Sequence, residues 1–208
     1  MASTEILLLR HGQSEGNESG RFGGHGPTPL TEKGRAQAEA TARALAEEGG
    51  LTGIWSSDLI RAVETAQPVA ALTGLQIRTT PALRERSVGV FTGLTFPEAE
   101  ARYPEAYAAL MRRESNVCPP EGETHAQCLA RAVSLLDAVL RNEPGGRTLI
   151  VSHAATLYLL LLHLLGLEHD PHARRVWIRT DNCALHRLKR SNDGLWTVLA
   201  LNDRAHLR

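Results

Sequence analysis

Two histidines stand where two apolar runs of the sequence end, and such positions can carry chemistry. Residues 6–9 form a continuous apolar run, typical of a strand covered on both faces, and Arg10-His11-Gly12 follows it. Ser152-His153-Ala154 follows a similar run at residues 148–151. Because open parallel sheets bind ligands outside the carboxyl ends of their strands, we expect His11 and His153 to meet at one edge of a sheet.

Three arginines and one carboxylate fall near the same predicted edge. Arg61 lies one helical turn beyond a predicted strand at residues 53–57, and Arg84-Glu85-Arg86 follows another at residues 75–80. This set suits phosphoryl transfer without a metal. A neutral imidazole can attack phosphorus, and arginine forks can stabilise the equatorial oxygens through bidentate hydrogen bonds. Glu85 is the candidate that protonates the leaving oxygen and later takes a proton from the attacking water.

The elements that must position these residues alternate between strand and helix. Helices are predicted from a Thr31 cap to residue 48, from an Asp58 cap to residue 73, and over residues 97–113, 123–143 and 154–167. Residues 184–189 and 195–201 predict a hairpin that turns at Asn192-Asp193-Gly194. This order predicts a three-layer α/β/α sandwich with a mostly parallel central sheet. The helix after His153 would also offer N–H donors to an anion.

Length and composition limit the domain organisation and the partners. The 208 residues contain 23 Lys and Arg against 23 Asp and Glu, so the net charge is zero, and no broadly basic surface for nucleic acid or membrane is expected. We expect one domain over residues 1–208, with residues 81–122 as an inserted cap over the active site. The apolar stretch 154–167 is too short to span a bilayer, and the N-terminus predicts no secretory signal.

The cysteines and the remaining histidines give little sign of a metal or a disulfide. Cys118, Cys128 and Cys183 are odd in number and lack CxxC spacing, which favours a reducing cytoplasm. The sequence His169-Asp170-Pro171-His172 hints at a metal site but is more typical of a surface turn. We therefore expect no metal, no cofactor and a cytoplasmic location.

The segment Leu8-Leu9-Arg10-His11-Gly12-Gln13-Ser14-Glu15-Gly16-Asn17 resembles the opening signature of the histidine phosphatase superfamily. The branches of that family include phosphoglycerate mutases and broad-specificity phosphatases. Later stretches resemble its other motifs in order: Pro29-Leu30-Thr31-Glu32-Lys33-Gly34, Ser56-Ser57-Asp58-Leu59 with Arg61-Ala62, Leu83-Arg84-Glu85, Gly122-Glu123-Thr124 and Val151-Ser152-His153. The resemblance implies a phosphoglycerate mutase-like fold.

The resemblance also implies roles, which follow only from the matching positions. His11 matches the family's nucleophile, Glu85 its proton donor, and Arg10, Arg61 and His153 the rest of its phosphate pocket. Asn17 matches a loop residue that touches the phosphate.

Two positions depart from the family pattern. Gln13 stands where Glu is frequent, and Ala154 stands where Gly is frequent. Ala154 still offers a backbone N–H, so we expect it to bind phosphate as well.

A structural interpretation stands beside each functional one. The two histidines could simply satisfy hydrogen bonds at strand ends, Glu85 could pair with Arg84 or Arg86, and Asn17 could be a turn residue. The ordered motifs favour the functional interpretation.

Residues that would choose the substrate are harder to assign. Arg21, Phe22, Gly23, Arg84 and Arg86 are candidates for the pocket walls. The doublet Arg112-Arg113 is either a solvated helix end or a clamp for an acidic substrate.

The expected function is hydrolysis of small phosphorylated metabolites through a phosphohistidine on His11. Mutases resemble one another in a Glu-Arg-His-Tyr-Gly loop, where this chain has Glu85-Arg86-Ser87-Val88-Gly89. This difference and the short chain favour a phosphatase over a bisphosphoglycerate-dependent phosphoglycerate mutase, which stays an alternative. A catalytically silent binding module of the same fold is a remote alternative, and a homodimer is left open.

Overall fold

The computed structural model describes residues 3–112, 118–167 and 176–208, and a six-stranded sheet forms its centre. The strands are β1 (Thr4–Arg10), β2 (Gly53–Ser57), β3 (Ile77–Thr80), β4 (Arg147–Ser152), β5 (Leu185–Arg190) and β6 (Trp196–Asp203). They lie in the order β3-β2-β4-β1-β5-β6. The first four run parallel to one another, whereas β5 pairs antiparallel with both β1 and β6. The prediction of a mostly parallel sheet that ends in a hairpin is confirmed.

Helices connect the strands on both sides of the sheet. They are α1 (Glu15–Glu18), α2 (Glu32–Glu48), α3 (Ile60–Thr73), α4 (Phe96–Arg102), α5 (Pro104–Met111), α6 (His125–Asn142) and α7 (Ala154–Leu164). Short 3-10 turns lie at Pro81–Leu83, Gly89–Phe91 and Ala205–Leu207. Within the described residues, no helix is both long and apolar enough to cross a membrane.

The side chains of β1 contribute to two cores, one on each face of the sheet. Successive side chains of a strand point to opposite faces. Ile6 and Leu8 pack into a cluster with α6 and α7, and Leu7 and Leu9 pack into a second cluster with α2 and α3. All four side chains are fully buried. The three-layer α/β/α architecture predicted from the continuous apolar run is therefore confirmed.

Local signals fix the ends of α2. The Thr31 hydroxyl accepts a hydrogen bond from the N–H of Gly34, which caps the first turn. Gly49 follows the last turn with φ at 67°, a conformation that favours glycine. The predicted boundaries of this helix are thus confirmed.

The helix predicted over residues 97–113 is wrong in extent. The structure divides this stretch into α4 and α5 at Tyr103, whose non-helical backbone (φ −139°, ψ 59°) ends the first helix. Pro104 then occupies the first turn of the second helix, where a missing N–H is tolerated. Residue 113 lies outside the described residues.

The capping role predicted for Asp58 is also wrong. Helix α3 has Leu59 at its N-cap and no side-chain cap. The Asp58 carboxylate instead accepts two hydrogen bonds from Arg84, at 2.7 Å from Nε and 2.6 Å from Nη2. The short helix α1, which Ser14 and Asn17 cap reciprocally, was not predicted.

Candidate active site

His11 follows β1 directly and is 3% exposed. Its Nδ1 lies 2.7 Å from the carbonyl oxygen of Gly12. Because a carbonyl oxygen can only accept, Nδ1 carries the hydrogen, and the lone pair of the neutral ring is on Nε2. Burial, and then the charges of Arg10 and Arg61, hold the pKa of His11 well below its ordinary value. The ring is therefore neutral near pH 7, the form in which Nε2 is a nucleophile.

His153 follows β4 and occupies the N-cap of α7. Its ring centroid lies 5.1 Å from that of His11, at an interplanar angle of 57°. Burial, followed by the charge of Arg61, lowers the pKa of His153 well below its ordinary value. Both ring nitrogens are buried, and the part of the chain that the structure describes offers neither a hydrogen-bond partner. Since buried polar atoms in folded proteins are almost always paired, these nitrogens point to a ligand site.

Two arginines flank the histidines. Arg10 donates from Nη1 to the carbonyl of Thr180 at 2.6 Å, and its buried Nε has no partner among the described residues. Arg61 is 2% exposed and donates from Nη2 to the carbonyl of Gly24 at 2.7 Å. Burial lowers the pKa of both arginines, while the negative charge of Glu85 raises it. Arginine keeps its charge under such shifts, so the site holds two buried cations.

Glu85 lies beside the N-terminus of α7. Its carboxylate accepts hydrogen bonds from the N–H groups of Ala155 at 3.2 Å, Thr156 at 3.3 Å and Arg86 at 2.8 Å. The same helix begins directly after His153. Its first residue is Ala154, whose N–H lies in the first turn, where no intrahelical acceptor exists. The structure thus brings the predicted carboxylate and the predicted N–H donor to one helix end.

Asn17 is held by two donors. Its Oδ1 accepts from the N–H of Ser14 at 3.2 Å and from Nδ2 of Asn182 at 3.1 Å. Asn182 Nδ2 also lies 3.0 Å from the carbonyl of His11, to which it donates. Because Oδ1 is occupied, the amide Nδ2 is the part of Asn17 that remains to donate to a ligand. Asn182 was not predicted.

Two of the predicted wall residues lie close to this cluster. Arg86 is 4% exposed, and burial lowers its pKa. A Cβ built on Gly23 would lie 3.7 Å from Nη2 of Arg61. Arg86, which interacts electrostatically with Glu85, and Gly23 therefore border the candidate site. Phe22 packs instead against Phe91 and Phe96, with ring centroids 5.4 Å and 4.8 Å apart.

The other predicted wall residues make contacts elsewhere. Arg21 is exposed and donates to the carbonyl of Gly93 at 2.7 Å. Arg84 is paired with Asp58, and Arg112 is exposed at the end of α5. Arg113 and the residues 169–172 lie outside the described residues.

Thr65 is a residue of the candidate site that was not predicted. Its buried hydroxyl accepts from the N–H of Gly12 at 3.0 Å and donates to the carbonyl of Arg61 at 2.7 Å. Gly12 also approaches the start of α2, because a Cβ there would lie 2.5 Å from the carbonyl oxygen of Gly34. The loop after β1 is thereby fixed against both α2 and α3. Side-chain types cannot reveal such partners, since they are main-chain groups.

The arrangement can bind a tetrahedral anion and attack it. Two buried cations, two neutral imidazoles and a helix N-terminus would surround a phosphoryl group, while a carboxylate lies next to it. Within the described residues, no group of three or more His, Cys, Asp or Glu is arranged to hold a metal ion.

Known proteins resemble this chain in sequence and in fold. Residues 6–204 match the sequence model of the histidine phosphatase superfamily (branch 1). The probable phosphoglycerate mutase GpmB of Yersinia enterocolitica is 33% identical over 207 residues, which are 98% of this chain and 94% of that protein. Bacillus stearothermophilus YhfR superposes with a TM-score of 0.90 at 26% identity, covering 99% of this chain and 100% of that one. The mycobacterial glucosyl-3-phosphoglycerate phosphatase Rv2419c in complex with VO3 superposes with a TM-score of 0.85 at 30% identity, covering 96% and 99%.

Proposed function

Since the chain belongs to the histidine phosphatase superfamily, a family of enzymes, we propose that it hydrolyses small phosphomonoesters through a phosphohistidine on His11. The observation that carries this proposal is the pair of buried rings 5.1 Å apart. A carbonyl holds the Nδ1 hydrogen of His11, and neither ring nitrogen of His153 has a partner among the described residues. We also propose a cytoplasmic location, in keeping with three free cysteines.

In the first step, Nε2 of His11 attacks phosphorus and forms a P–N bond while the bond to the leaving oxygen breaks. Arg10, Arg61 and His153 stabilise the charge on the equatorial oxygens. Nδ2 of Asn17 and the N–H of Ala154 add two further donors. Protonated Glu85 gives its proton to the leaving oxygen, so that an alcohol departs rather than an alkoxide.

In the second step, water replaces the alcohol. The Glu85 carboxylate takes a proton from the water as its oxygen attacks phosphorus, and the P–N bond breaks. Inorganic phosphate leaves and His11 returns to its neutral form. Because the first Glu85 proton is recovered here, each turnover consumes one ester and one water.

The choice between water and a second hydroxyl as acceptor separates a phosphatase from a mutase. The loop that carries Glu85 continues as Ser87-Val88-Gly89, and the N–H of Val90 donates to the carbonyl of Pro120 at 3.0 Å. The His and Tyr of the mutase loop are therefore absent from this stretch. Their absence favours water as the acceptor. We also propose that residues 81–122 form a cap over the active site, and the contact between Val90 and Pro120 joins two parts of that segment. The mutase alternative rests on relatives such as the GpmB protein.

The test begins with an aryl phosphate assayed with and without a chelator. We expect activity that the chelator leaves unchanged and that His11→Ala abolishes. His163→Ala, at the far end of α7 from His153, is the matched control and should retain activity. Labelled phosphate should stay on the denatured wild-type protein with the acid lability of a phosphohistidine. Full activity of His11→Ala, or strict dependence on a divalent metal, would overturn the mechanism.

A second assay separates the two acceptors. The protein is incubated with 3-phosphoglycerate, with and without a bisphosphoglycerate primer, and free phosphate is followed against 2-phosphoglycerate. Phosphate release without isomerisation is expected. Rapid isomerisation with little phosphate release would identify a mutase.

A further inference from the structure

Arg131 on α6 binds the backbone of the segment that carries Glu85. Its Nη1 donates to the carbonyls of Ala82 at 2.8 Å and Arg84 at 2.7 Å, and its Nη2 donates to the carbonyl of Glu85 itself at 2.9 Å. A single guanidinium thus contacts three carbonyls within four consecutive residues. No side-chain pattern in the sequence marks this contact, because the acceptors are main-chain oxygens.

Glu123 holds the other side of the same guanidinium. Its two carboxylate oxygens accept from Nε and Nη2 of Arg131, each at 2.9 Å, in a bidentate pair. The Glu123 carboxylate also accepts from the N–H of Ser87 at 2.8 Å. The pair therefore fixes the chain on both sides of Glu85 in sequence, at residues 82–85 through Arg131 and at residue 87 through Glu123.

The Glu85 carbonyl receives a second donor from a separate loop. Nε2 of His25 lies 2.7 Å from that oxygen and donates to it. The neighbouring Arg84 carbonyl accepts from the hydroxyl of Thr156 at 2.8 Å. The hydroxyl of Ser152, at the end of β4, donates to the carbonyl of Leu83 at 2.7 Å. Four segments thus hold residues 82–85, and among these four side chains Arg131 makes the largest number of contacts.

We propose that Arg131 is a positioning residue for proton transfer by Glu85. The inference rests on the proposed function, in which Glu85 protonates the leaving oxygen. In this role Arg131 holds the backbone of Glu85, whereas His11 and the phosphate pocket contact the reacting atoms. General acid catalysis requires the donor within hydrogen-bond reach of the leaving oxygen, and a displacement of about 1 Å can lower the rate about 100-fold.

The leaving group distinguishes this role from a merely structural one. An alkyl oxygen is a poor leaving group and needs the proton, whereas a nitrophenolate leaves readily without it. A variant with a displaced Glu85 should therefore lose far more activity on an alkyl phosphate than on p-nitrophenyl phosphate. A variant that is only less stable should lose the same fraction on both substrates.

The experiment compares Arg131→Met with wild type on glycerol phosphate and p-nitrophenyl phosphate. We expect kcat/KM to fall on the order of 100-fold on the alkyl ester and less than about fivefold on the aryl ester. Arg147→Met is the matched control. Arg147 is also a largely buried arginine that pairs with two carboxylates, those of Glu5 and Glu48. It lies at the start of β4, whereas His153 of the candidate site follows the end of that strand. Arg147→Met should change kcat/KM by the same factor on both substrates.

Glu85→Gln and the double variant complete the test. Glu85→Gln should also lose far more kcat/KM on the alkyl ester than on the aryl ester. Adding Arg131→Met to it should lower kcat/KM little further, because both changes remove the same function, proton donation by Glu85. If Arg131→Met does not fold, Arg131→Lys, which keeps the charge but not the fork, gives the same comparison. Equal losses on both esters for the Arg131 variant, with a selective loss for Glu85→Gln, would overturn the inference alone. Equal losses for Glu85→Gln would overturn the proposed acid role and the inference together.

Discussion

The hydroxyl of Thr65 joins the nucleophile loop to the helix that carries Arg61, and its removal tests how strongly the site depends on that link. Thr65→Val keeps the shape of the side chain and removes only its hydrogen bonds. The Arg61 carbonyl keeps its helical partner, since it lies in α3 four residues before position 65. The N–H of Gly12, in contrast, loses its acceptor at 3.0 Å.

The size of the expected loss in stability follows from one buried donor, the N–H of Gly12, that has lost its partner. Such a group destabilises a protein by about 1–3 kcal/mol. For a chain of this length, 1 kcal/mol lowers Tm by about 2–4 °C, so the expected fall is about 2–12 °C. The unpaired N–H belongs to the peptide that joins His11 to Gly12, so the orientation of the imidazole should also relax. We expect kcat/KM to fall about 10-fold to 100-fold.

Thr65→Ser is the matched control, because it keeps the hydroxyl and loses one methyl group. It costs about 1 kcal/mol of stability through the small cavity, but it should retain kcat/KM within about twofold. Thermal unfolding and p-nitrophenyl phosphate hydrolysis would be measured for both variants. A Thr65→Val protein as active as Thr65→Ser, and as stable as wild type, would refute the reasoning.

Two further predictions concern a buried histidine and the amide that orients Asn17. Burial lowers the pKa of His186 from 6.5 to about 4, so the unfolded chain binds more protons in that window and stability falls as the pH drops through it. Between pH 7 and pH 5, the wild-type protein should lose about 2 kcal/mol more unfolding free energy than His186→Leu, as measured by urea denaturation. If the unfolding free energy of both proteins depends on pH in the same way, this reasoning is wrong. Asn182→Leu removes the donor to Asn17 and to the His11 carbonyl, and inhibition by inorganic phosphate should weaken about fivefold, which corresponds to about 1 kcal/mol for one hydrogen bond. An unchanged inhibition constant would show that Asn182 does not orient the phosphate ligand.

The sheet could be predicted because its signals are local. The continuous apolar run of β1 requires cover on both faces, and Thr31 and Gly49 mark the ends of α2 whatever surrounds them. Asp58 shows where local reasoning fails. An aspartate before a helix is a typical cap, but Arg84, 26 residues away, offers it a charged partner instead. Tertiary contacts of this kind override a capping preference of about 1 kcal/mol.

Some residues of the candidate site could be predicted from the sequence and others could not. Histidine, arginine and glutamate at predicted strand ends could be recognised from residue type and position, and the structure brings His11 and His153 within ring contact. Thr65 and Asn182 could not be recognised, because each binds a main-chain group distant in sequence. Thr65 and Gly12 are 53 residues apart, and Asn182 and His11 are 171 apart. Residue type identifies the groups that would touch a ligand, but it does not identify the groups that hold them in place.

The chain has zero net charge although its candidate site contains two arginines, because of how the charges are distributed. Several surface arginines pair with nearby carboxylates, as Arg21 does with Glu98 at 3.3 Å, and the charges of such a pair cancel at a distance. Arg10 and Arg61 are buried instead, and the same burial that lowers their pKa removes the solvent that would screen them. We propose that this distribution of charge favours a small phosphate dianion, bound at the two arginines, over a nucleic acid. The neutral rings of His11 and His153 would add hydrogen-bonding atoms to the pocket without adding to the repulsion between the arginines.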